Sequence, residues 1–379
     1  MKFLYKKLYL YRNQMQGGGF VNKMKFAVLG AGAGGQTMVA YLSSQGYYVT
    51  LYDRDAEKIA RLNELGKITV TGKFECEGFP EVCTTVIDEA VKDVDAIMVC
   101  TTTDAHKEIA DLCAPYLHDG SIFMLNPGHV GGSLEVSHII RDIHGCKADI
   151  IIAETGDLMY ACRSYEIGQT FQSGIKSEVD VATLPAGDVN RLMEQIGGVF
   201  TNLKPVKNIL ETGFEGGGAM LHPIPSIMNV NRTDVGENYD YYMAGITPSV
   251  AKLVSACDAE RLAVCKALGL EVPSLVKSLQ KMYKLDQEDL YDLLQHNAAY
   301  KGLRSPTSLN HRFIVEDTVS GIVPLASIGH MLGVETPVMD AFIMIASIIC
   351  GRDFKAEGRT VDKLGLEGKT LEEIYQMIS

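Results

Sequence analysis

Phe26-Ala-Val-Leu-Gly-Ala-Gly-Ala-Gly-Gly35 is the stretch that decides the fold. Its four apolar residues predict a strand, and Gly30, Gly32 and Gly35 follow as a G-x-G-x-x-G pattern. In a dinucleotide-binding fold the first glycine permits a tight turn, the second lets the backbone approach a pyrophosphate, and the third lets helix and strand pack closely. A second predicted strand, Tyr48–Tyr52, ends next to Asp53, 18 residues after the last glycine. This context predicts a Rossmann-type domain.

The same region predicts where a cofactor binds. Ala33 opens the helix whose free N–H groups and positive dipole end stabilise phosphates. Asp53 can accept hydrogen bonds from an adenosine ribose, which favours NAD, whereas Arg54 beside it could pair with a 2′-phosphate and keeps NADP open. Thr101 follows the predicted strand 95–100 at the edge where ligands bind such sheets, although an ordinary helix N-cap explains this segment equally well.

Short apolar strands alternate with helical stretches up to about Pro205, and helical periodicity replaces them afterwards. Apolar strands separated by helices are typical of a parallel sheet that is covered on both faces. We therefore predict an α/β protein: a doubly wound parallel sheet over residues 24–205, followed by an all-α substrate domain over 206–379. The further predicted strands are 95–100, 121–125 and 149–153. The predicted helices are 36–45, 55–65, 104–114, 134–143, 249–268, 274–284, 287–295, 337–350 and 371–378.

Composition excludes several classes of protein. A chain of 379 residues is longer than a single hydrophobic core usually supports, so we expect two domains. A content of 46% hydrophobic and 22% charged residues excludes a largely disordered protein. The formal charge is −12; without residues 1–23, 30 basic and 47 acidic residues remain, a net charge of −17. Because such an acidic body repels phosphate backbones, we expect no nucleic-acid partner.

Cellular location is predicted from cysteine usage and apolar runs. Nine scattered cysteines without a C-x-x-C pair indicate reduced thiols and a cytoplasmic protein. The longest apolar run, residues 338–350, has 13 residues and contains Asp340, which is too short for a membrane span and typical of a buried helix or a homodimer interface. Residues 1–23 lack a signal-peptide core and precede Met24, so we expect an extension that takes no part in the fold.

Two histidines stand near predicted ligand-binding edges. His129 follows the strand 121–125 within Asn126-Pro-Gly-His129 and could face the nicotinamide, or be an ordinary loop residue. His222 follows the glycines at 216–218, just inside the second domain, where the two domains must meet. No His/Cys/Asp spacing matches a metal ligand set, so we expect no metal. Four other histidines are expected on surface helices: His106, His118, His138 and His144.

Several stretches resemble the opine dehydrogenases, such as octopine and nopaline dehydrogenase. These stretches are Asn126-Pro-Gly-His-Val-Gly-Gly132; Glu154-Thr155 with Tyr160-Ala-Cys-Arg163; Ala219-Met-Leu-His-Pro223 with Asn229; Gly245-Ile-Thr-Pro248; Asp258-Ala-Glu-Arg261; and Arg312-Phe-Ile-Val-Glu-Asp317 running on to Gly321-Ile-Val-Pro324. The resemblance spans the chain from Lys25 to its end. It implies that NAD(P)H reduces the imine of an α-keto acid, pyruvate by default, and an amino acid to a secondary amine dicarboxylate, and the reverse.

The resemblance also implies roles for individual residues. His222 matches the family's acid–base histidine, which suits proton transfers near neutral pH. Asp317 matches its carboxylate partner, and Arg312 the arginine that binds a substrate carboxylate in a bidentate fork. His129 and Glu154 are expected on the substrate side. The chain has no tryptophan, so an aromatic wall of the amino-acid pocket must come from other rings, with the candidates Tyr239, Tyr241 and Tyr242.

Two alternatives remain at this point. The ketopantoate reductases and β-hydroxyacid dehydrogenases resemble this layout but use a lysine as general acid, and Lys207 near the domain junction could take that role. The chain could also be a non-catalytic NAD-binding sensor. These alternatives differ in whether His222, Lys207 or neither is needed for turnover.

Overall fold

The computed structural model describes residues 23–214 and 218–379. The prediction for residues 1–23 therefore lies, except for Lys23, outside the described residues, and so do Gly216 and Gly217 of the glycine stretch before His222.

A mostly parallel eight-stranded sheet forms the centre of the first domain. Its strands are β1 (Lys25–Leu29), β2 (Tyr48–Tyr52), β5 (Val82–Thr84), β6 (Ala96–Val99), β7 (Ile122–Leu125), β8 (Ile151–Thr155), β11 (Val179–Leu184) and β12 (Leu203–Pro205). They lie in the order β12-β11-β8-β7-β6-β1-β2-β5. The chain leaves β1 in one direction for β2 and in the other for β6, so the strand order reverses beside the glycine loop, where such sheets bind dinucleotides.

One edge of the predicted parallel sheet contains an antiparallel pair. β11 pairs antiparallel with β8, and β12 pairs parallel with β11. The chain between β8 and β11 forms a two-stranded excursion instead of a crossover helix, and only a crossover would return the strand in the parallel direction.

That excursion belongs to a second, four-stranded sheet that the sequence did not predict. Its strands are β3 (Ile68–Gly72), β4 (Cys76–Gly78), β9 (Tyr160–Glu166) and β10 (Gln169–Ile175). They lie in the order β4-β3-β10-β9. The sheet packs against the helix that follows the glycine loop: a Cβ on Gly78 would lie 2.2 Å from Ala40 Cα. The small sheet thus covers the outer side of the cofactor-binding helix.

Helices cover both faces of the large sheet. They are α1 (Ala33–Ser44), α2 (Ala56–Leu65), α3 (Ile87–Val91), α4 (His106–Cys113), α5 (Gly132–Ser137) and α6 (Val189–Ile196), with a π-helical turn at His138–Ile143. Side chains of β1 alternate between two cores, since Phe26 and Val28 join one buried cluster and Ala27 and Leu29 join the other. Burial on both faces explains the continuous apolar run that decided the fold.

Beyond Pro205 the described residues form helices and contribute no strand to either sheet. The helices are α7 (Ile209–Phe214), α8 (Gly218–Leu221), α9 (Pro223–Met228), α10 (Val230–Asp234), α11 (Tyr241–Gly245), α12 (Pro248–Ala267), α13 (Leu275–Tyr283), α14 (Leu290–His296), α15 (Arg312–Asp317), α16 (Val323–Met331), α17 (Pro337–Cys350), α18 (Phe354–Glu357) and α19 (Leu371–Ile378), with a π-helical turn at Thr318–Ile322. The predicted α/β-plus-α architecture is confirmed, and we propose the domain boundary at 205/206. In the part of the chain that the structure describes, no helix is long and apolar enough to span a bilayer.

Candidate active site

The loop after β1 requires glycine at two positions. Gly30 has φ +103°, and a Cβ there would lie 2.9 Å from the backbone nitrogen of Thr101. A Cβ on Gly35 would come within 1.8 Å of the Gly30 carbonyl oxygen. A Cβ on Gly32, in contrast, would meet open space, so a ligand can approach the backbone there. The backbone therefore turns tightly at Gly30, is open at Gly32 and packs closely at Gly35, and the binding of a pyrophosphate there stays a prediction.

The start of α1 fits a pyrophosphate. Gly32 is the N-cap and provides no side-chain cap, and the first turn from Ala33 holds no acidic residue. The first N–H groups and the positive dipole end therefore face outward without a competing anion. Thr101 Oγ1 and Asn126 Oδ1, after β6 and β7, are buried and have no hydrogen-bond partner among the described residues. Buried polar atoms of this kind require a partner, and a dinucleotide along this edge would supply one.

The ribose side of the loop combines a carboxylate with an ammonium group. Asp53 Oδ2 accepts a hydrogen bond from the Ala31 N–H at 2.6 Å and lies 3.2 Å from Lys58 Nζ. Arg54 is exposed and its Nη1 lies 3.2 Å from Glu108 Oε2, outside this cluster. Lys58 is thus a residue of the ribose region that the sequence did not reveal, although its position on the first turns of α2 could have indicated it.

His222 and Asp317 lie together, although 95 residues separate them in the sequence. The distance from His222 Nδ1 to Asp317 Oδ2 is 3.0 Å. His222 is the residue before α9 and Asp317 ends α15. The imidazole is 24% exposed and the carboxylate only 5%. A buried carboxylate on Nδ1 orients the ring and leaves Nε2 as the nitrogen available to a substrate.

Two aromatic residues fix the position of His222. The Phe313 ring stacks on the imidazole with centroids 4.2 Å apart and planes 4° from parallel. The Tyr241 hydroxyl donates to the His222 carbonyl oxygen, and burial raises the pKa of this tyrosine. The sequence did not identify Phe313, but its position four residues before Asp317 places both side chains on one helical face. Tyr241 therefore positions His222 and does not form the predicted aromatic wall.

Arg312 starts the helix that Asp317 ends. Its side chain is 63% exposed, and Nη1 lies 3.6 Å from Glu316 Oε2. That separation is beyond hydrogen-bonding reach, so the guanidinium remains available to an incoming carboxylate. The other oxygen of Glu316, Oε1, accepts from the Thr103 N–H at 3.1 Å. Arg312 is thus held near a buried carboxylate that is anchored in the first domain.

His129 lies in a constrained loop after β7. The Asn126–Pro127 peptide bond is cis, and His129 has φ +57°, a left-handed conformation that is uncommon for a residue with a side chain. Its carbonyl oxygen lies close to Gly213, where a Cβ would come within 2.9 Å. His129 is partly exposed and lies at the domain junction, in the region where we predicted it.

The structure corrects the expectation for Glu154. This residue is completely buried: Oε1 accepts from Thr212 Oγ1 at 2.5 Å and Oε2 accepts from the Ser133 N–H at 2.9 Å. Burial raises the pKa of Glu154, and the two hydrogen bonds oppose that shift. A Cβ on Gly128 would lie 2.4 Å from Oε2. Glu154 therefore supports the loop before His129 from behind and does not face a substrate.

Two further expectations from the sequence change. His106 is not a surface residue: it is completely buried, and its Nδ1 lies 3.0 Å from Arg359 Nη2. Lys207 is exposed, and its backbone N–H donates a hydrogen bond to Glu211 Oε2 at 3.0 Å. Across residues 23–214 and 218–379, no group of three His, Cys, Asp or Glu side chains could hold a metal ion.

Comparison with known proteins identifies the family. Residues 205–350 match the model of the NAD/NADP octopine/nopaline dehydrogenase alpha-helical domain, and residues 26–145 match that of ketopantoate reductase PanE/ApbA. The opine dehydrogenase of Arthrobacter sp. (strain 1C) is 38% identical over 351 residues, which cover 92% of this chain and 97% of that protein. The chain belongs to the opine dehydrogenase family. It is therefore an NAD(P)-dependent oxidoreductase acting on CH–NH bonds, and the enzyme class predicted from the resemblance is confirmed.

Solved structures of opine dehydrogenases share the fold. Octopine dehydrogenase with NADH and L-arginine has a TM-score of 0.77 at 22% identity, covering 93% of this chain and 98% of that one. The same enzyme with NADH and pyruvate gives 0.73. Yersinopine dehydrogenase with NADP+ also gives 0.73 at 15% identity, covering 94% and 98%. The family model of ketopantoate reductase matches residues 26–145 alone, and a solved ketopantoate reductase from Ralstonia eutropha JMP134 shares the fold with a lower TM-score of 0.61 at 15% identity, covering 86% of this chain. Since the helical domain matches the octopine/nopaline dehydrogenase model, the alternative built on Lys207 is set aside.

Proposed function

We propose that this member of the family condenses pyruvate, or a close α-keto acid, with the amine of an amino acid, and reduces the resulting imine with NADH. One observation supports the site assignment: His222 Nδ1 contacts Asp317. Asp317 is buried and lies on the same short helix as the exposed Arg312. Octopine dehydrogenase, solved with pyruvate and with L-arginine, supports the two substrate classes.

His222 would transfer the protons that imine formation requires. The amine must lose a proton before it attacks the keto carbon, and the carbinolamine must gain one to release water. Nε2 of His222 can perform both steps, because Nδ1 is committed to Asp317, whose charge stabilises the imidazolium. A bound reduced nicotinamide supplies the hydride to the imine carbon. Residues of the glycine loop and Thr101 would position that cofactor.

Arg312 would bind the keto-acid carboxylate. Its guanidinium is exposed on α15, one residue before the ring that stacks on His222. A planar fork matches a carboxylate with two parallel hydrogen bonds, which would fix the orientation of the keto carbon relative to His222.

NADH oxidation with pyruvate across a panel of amino acids tests the proposal. We expect turnover only when both substrates are present, with the secondary amine dicarboxylate as the product by mass spectrometry. Turnover of a keto acid without an amine, giving a hydroxy acid, would contradict the proposal, and so would binding of NADH without turnover of any pair. The Lys207→Ala variant is expected to retain full activity, since this lysine is exposed.

Lys58 is expected to determine how strongly NADP is excluded. Its ammonium group lies 3.2 Å from Asp53 Oδ2 and would offset the repulsion between that carboxylate and a 2′-phosphate. We expect the wild type to bind NADH more tightly than NADPH, and Lys58→Ala to weaken NADPH binding by about fivefold, the effect of roughly 1 kcal/mol, with NADH binding little changed. Fluorescence titration with both cofactors measures this. Tighter binding of NADPH to the wild type would show that Asp53 does not govern selectivity.

We propose a cytoplasmic homodimer that uses the outer face of α17. No two of the nine cysteines, all of which lie in the described part of the chain, form a disulfide, as a reducing compartment would require. Three apolar side chains are exposed on one side of α17: Met344, Ile345 and Ile348. The opposite side of this helix packs in the core. An exposed apolar face of this kind is typical of an interface. We expect Ile348→Glu to convert a dimer into a monomer in light scattering, with the melting temperature unchanged; a wild-type monomer would refute the proposal.

A further inference from the structure

Arg359 is a buried arginine that crosses between the domains. It follows α18 in the helical domain and is only 2% exposed. Its backbone N–H donates to the Val319 carbonyl oxygen of the same domain at 3.0 Å. Its side chain, in contrast, contacts the first domain. The side-chain acceptors are Glu135 Oε2 (2.8 Å, from Nε), the carbonyl oxygens of Gly128 (2.9 Å) and Val130 (3.2 Å, both from Nη1), and Thr103 O (3.1 Å) and His106 Nδ1 (3.0 Å, both from Nη2).

These contacts use the full donor capacity of the side chain. A guanidinium has five N–H groups, and the five acceptors match them. Burial, together with the positive charge of Arg359, lowers the pKa of His106 well below its usual value, so the ring is neutral and can accept at Nδ1. Lysine offers one nitrogen in place of three and cannot reproduce this pattern.

Three of the five acceptors, the carbonyl oxygens of Thr103, Gly128 and Val130, lie in the segments that follow β6 and β7. Gly128 and Val130 flank His129, and Thr103 lies two residues after Thr101. These loops form the carboxyl edge of the sheet beside the switch in strand order, where we propose that the nicotinamide binds. A left-handed residue such as His129 persists only where its surroundings hold it, and Arg359 provides a contact on each side.

Neighbouring contacts connect the same loops to the substrate helix. Glu316 Oε1 accepts from the Thr103 N–H at 3.1 Å, and the Ser320 hydroxyl lies 2.5 Å from the Thr103 hydroxyl. The Val130 N–H donates to the Ser320 carbonyl oxygen at 3.2 Å. Glu316 belongs to α15, which carries the proposed Arg312 and Asp317. We call this set of contacts, together with Arg359 and Glu135, the interdomain seam.

Stability alone does not account for a buried ion pair at this place. Taking both charges of Arg359 and Glu135 out of water carries a desolvation penalty, and apolar residues of similar volume often stabilise as well. Apolar packing already joins the domains, since Val130 and Leu134 belong to the core cluster of the helical domain. What a fully bonded guanidinium adds is a defined geometry between two surfaces.

We infer that Arg359 is a positioning residue for hydride transfer: through the interdomain seam it fixes the loops beside the nicotinamide relative to His222, Asp317 and Arg312. The inference rests on the proposed function, in particular on the placement of the nicotinamide beside these loops. The inference also implies that, when the domains close around a substrate, they rotate about the interdomain seam and its contacts stay intact.

Arg359→Lys tests the inference in the full-length enzyme. We expect kcat to fall by about 10²-fold, the loss typical of a displacement near 1 Å, while the NADH dissociation constant changes less than about twofold. With NADH deuterated at C4 of the nicotinamide, we expect the isotope effect on single-turnover hydride transfer to become larger and more dependent on temperature. A merely structural role would not change this isotope effect.

A second buried arginine provides the matched control. Arg261 pairs with Asp258 at 2.8 Å and donates to the Phe214 and Pro273 carbonyl oxygens, wholly within the helical domain. Arg261→Lys is expected to lower the melting temperature and leave the isotope effect at the wild-type value. If both variants change the isotope effect alike, or if Arg359→Lys keeps the wild-type kcat, the inference is overturned.

Glu135→Gln provides a second test of the inference if the Arg359→Lys variant does not fold. The amide retains an acceptor for Arg359 Nε and removes only the charge. We expect a smaller loss of kcat, about tenfold, with the same change in isotope effect; an unchanged isotope effect in a folded Glu135→Gln variant would refute the inference. Activity of the wild type in the substrate panel is measured separately, so failure of the proposed function is distinguishable from failure of this inference.

Discussion

His222→Asn is expected to lower kcat by about 10²–10⁴-fold, the usual contribution of a positioned acid–base group. Asparagine is close in size and can still donate to Asp317, so the site should remain folded, but it cannot carry a proton at the position of Nε2. NADH binding should stay near the wild-type value, because the glycine loop and the start of α1 lie in the other domain. Steady-state kinetics and single-turnover NADH oxidation measure the effect.

His330 supplies a control with the same kind of contact. Its Nε2 lies 2.9 Å from Asp340 Oδ2, but both side chains are about half exposed; His330 lies in the last turn of α16 and Asp340 in the first turn of α17. His330→Asn should leave kcat unchanged. If His222→Asn kept wild-type turnover, or if both variants lost it equally, His222 would not be the acid–base residue.

The parts of the fold that the sequence predicted are those with local signals. β1 and the glycine loop follow from ten consecutive residues. α17 begins at Pro337 and ends at Cys350, the predicted bounds, because Pro337 at the first helical position starts the helix and Gly351 with φ +61° ends it. Where a short segment decides its own conformation, the sequence is sufficient.

The parts that escaped prediction depend on distant partners. β3 pairs with β10 about a hundred residues further along, and polar threonines in both strands give no apolar run to detect. His106 is buried because Arg359, 253 residues later, supplies its hydrogen bond. Glu154 is likewise buried by Thr212 from the helical domain. The roles of single polar residues at the domain junction therefore follow from tertiary contacts that no local pattern encodes.

Arg312→Lys is expected to raise the KM for the keto acid by roughly 10-fold, and Arg312→Met by about 10²-fold, because hydrogen bonds between charged groups contribute about 1.5–3 kcal/mol. Lysine keeps the charge but loses the bidentate fork. Neither change should affect the NADH dissociation constant, since Arg312 lies on α15 in the helical domain. Initial rates with each substrate varied in turn separate the two KM values.

Arg61→Lys is the matched control, because Arg61 is also exposed and pairs with a glutamate one helical turn away, on α2. It should leave both KM values unchanged. The structure explains why Arg312 differs. Its guanidinium lies 3.6 Å from Glu316, which accepts a hydrogen bond from Thr103. The guanidinium is therefore oriented, but its N–H groups make no hydrogen bond to Glu316 and can bind a carboxylate. If Arg312→Lys raised only the KM for the amino acid, Arg312 would bind that substrate and the orientation of the imine would be reversed. If it changed neither KM, the carboxylate contact would have to lie elsewhere in the cleft.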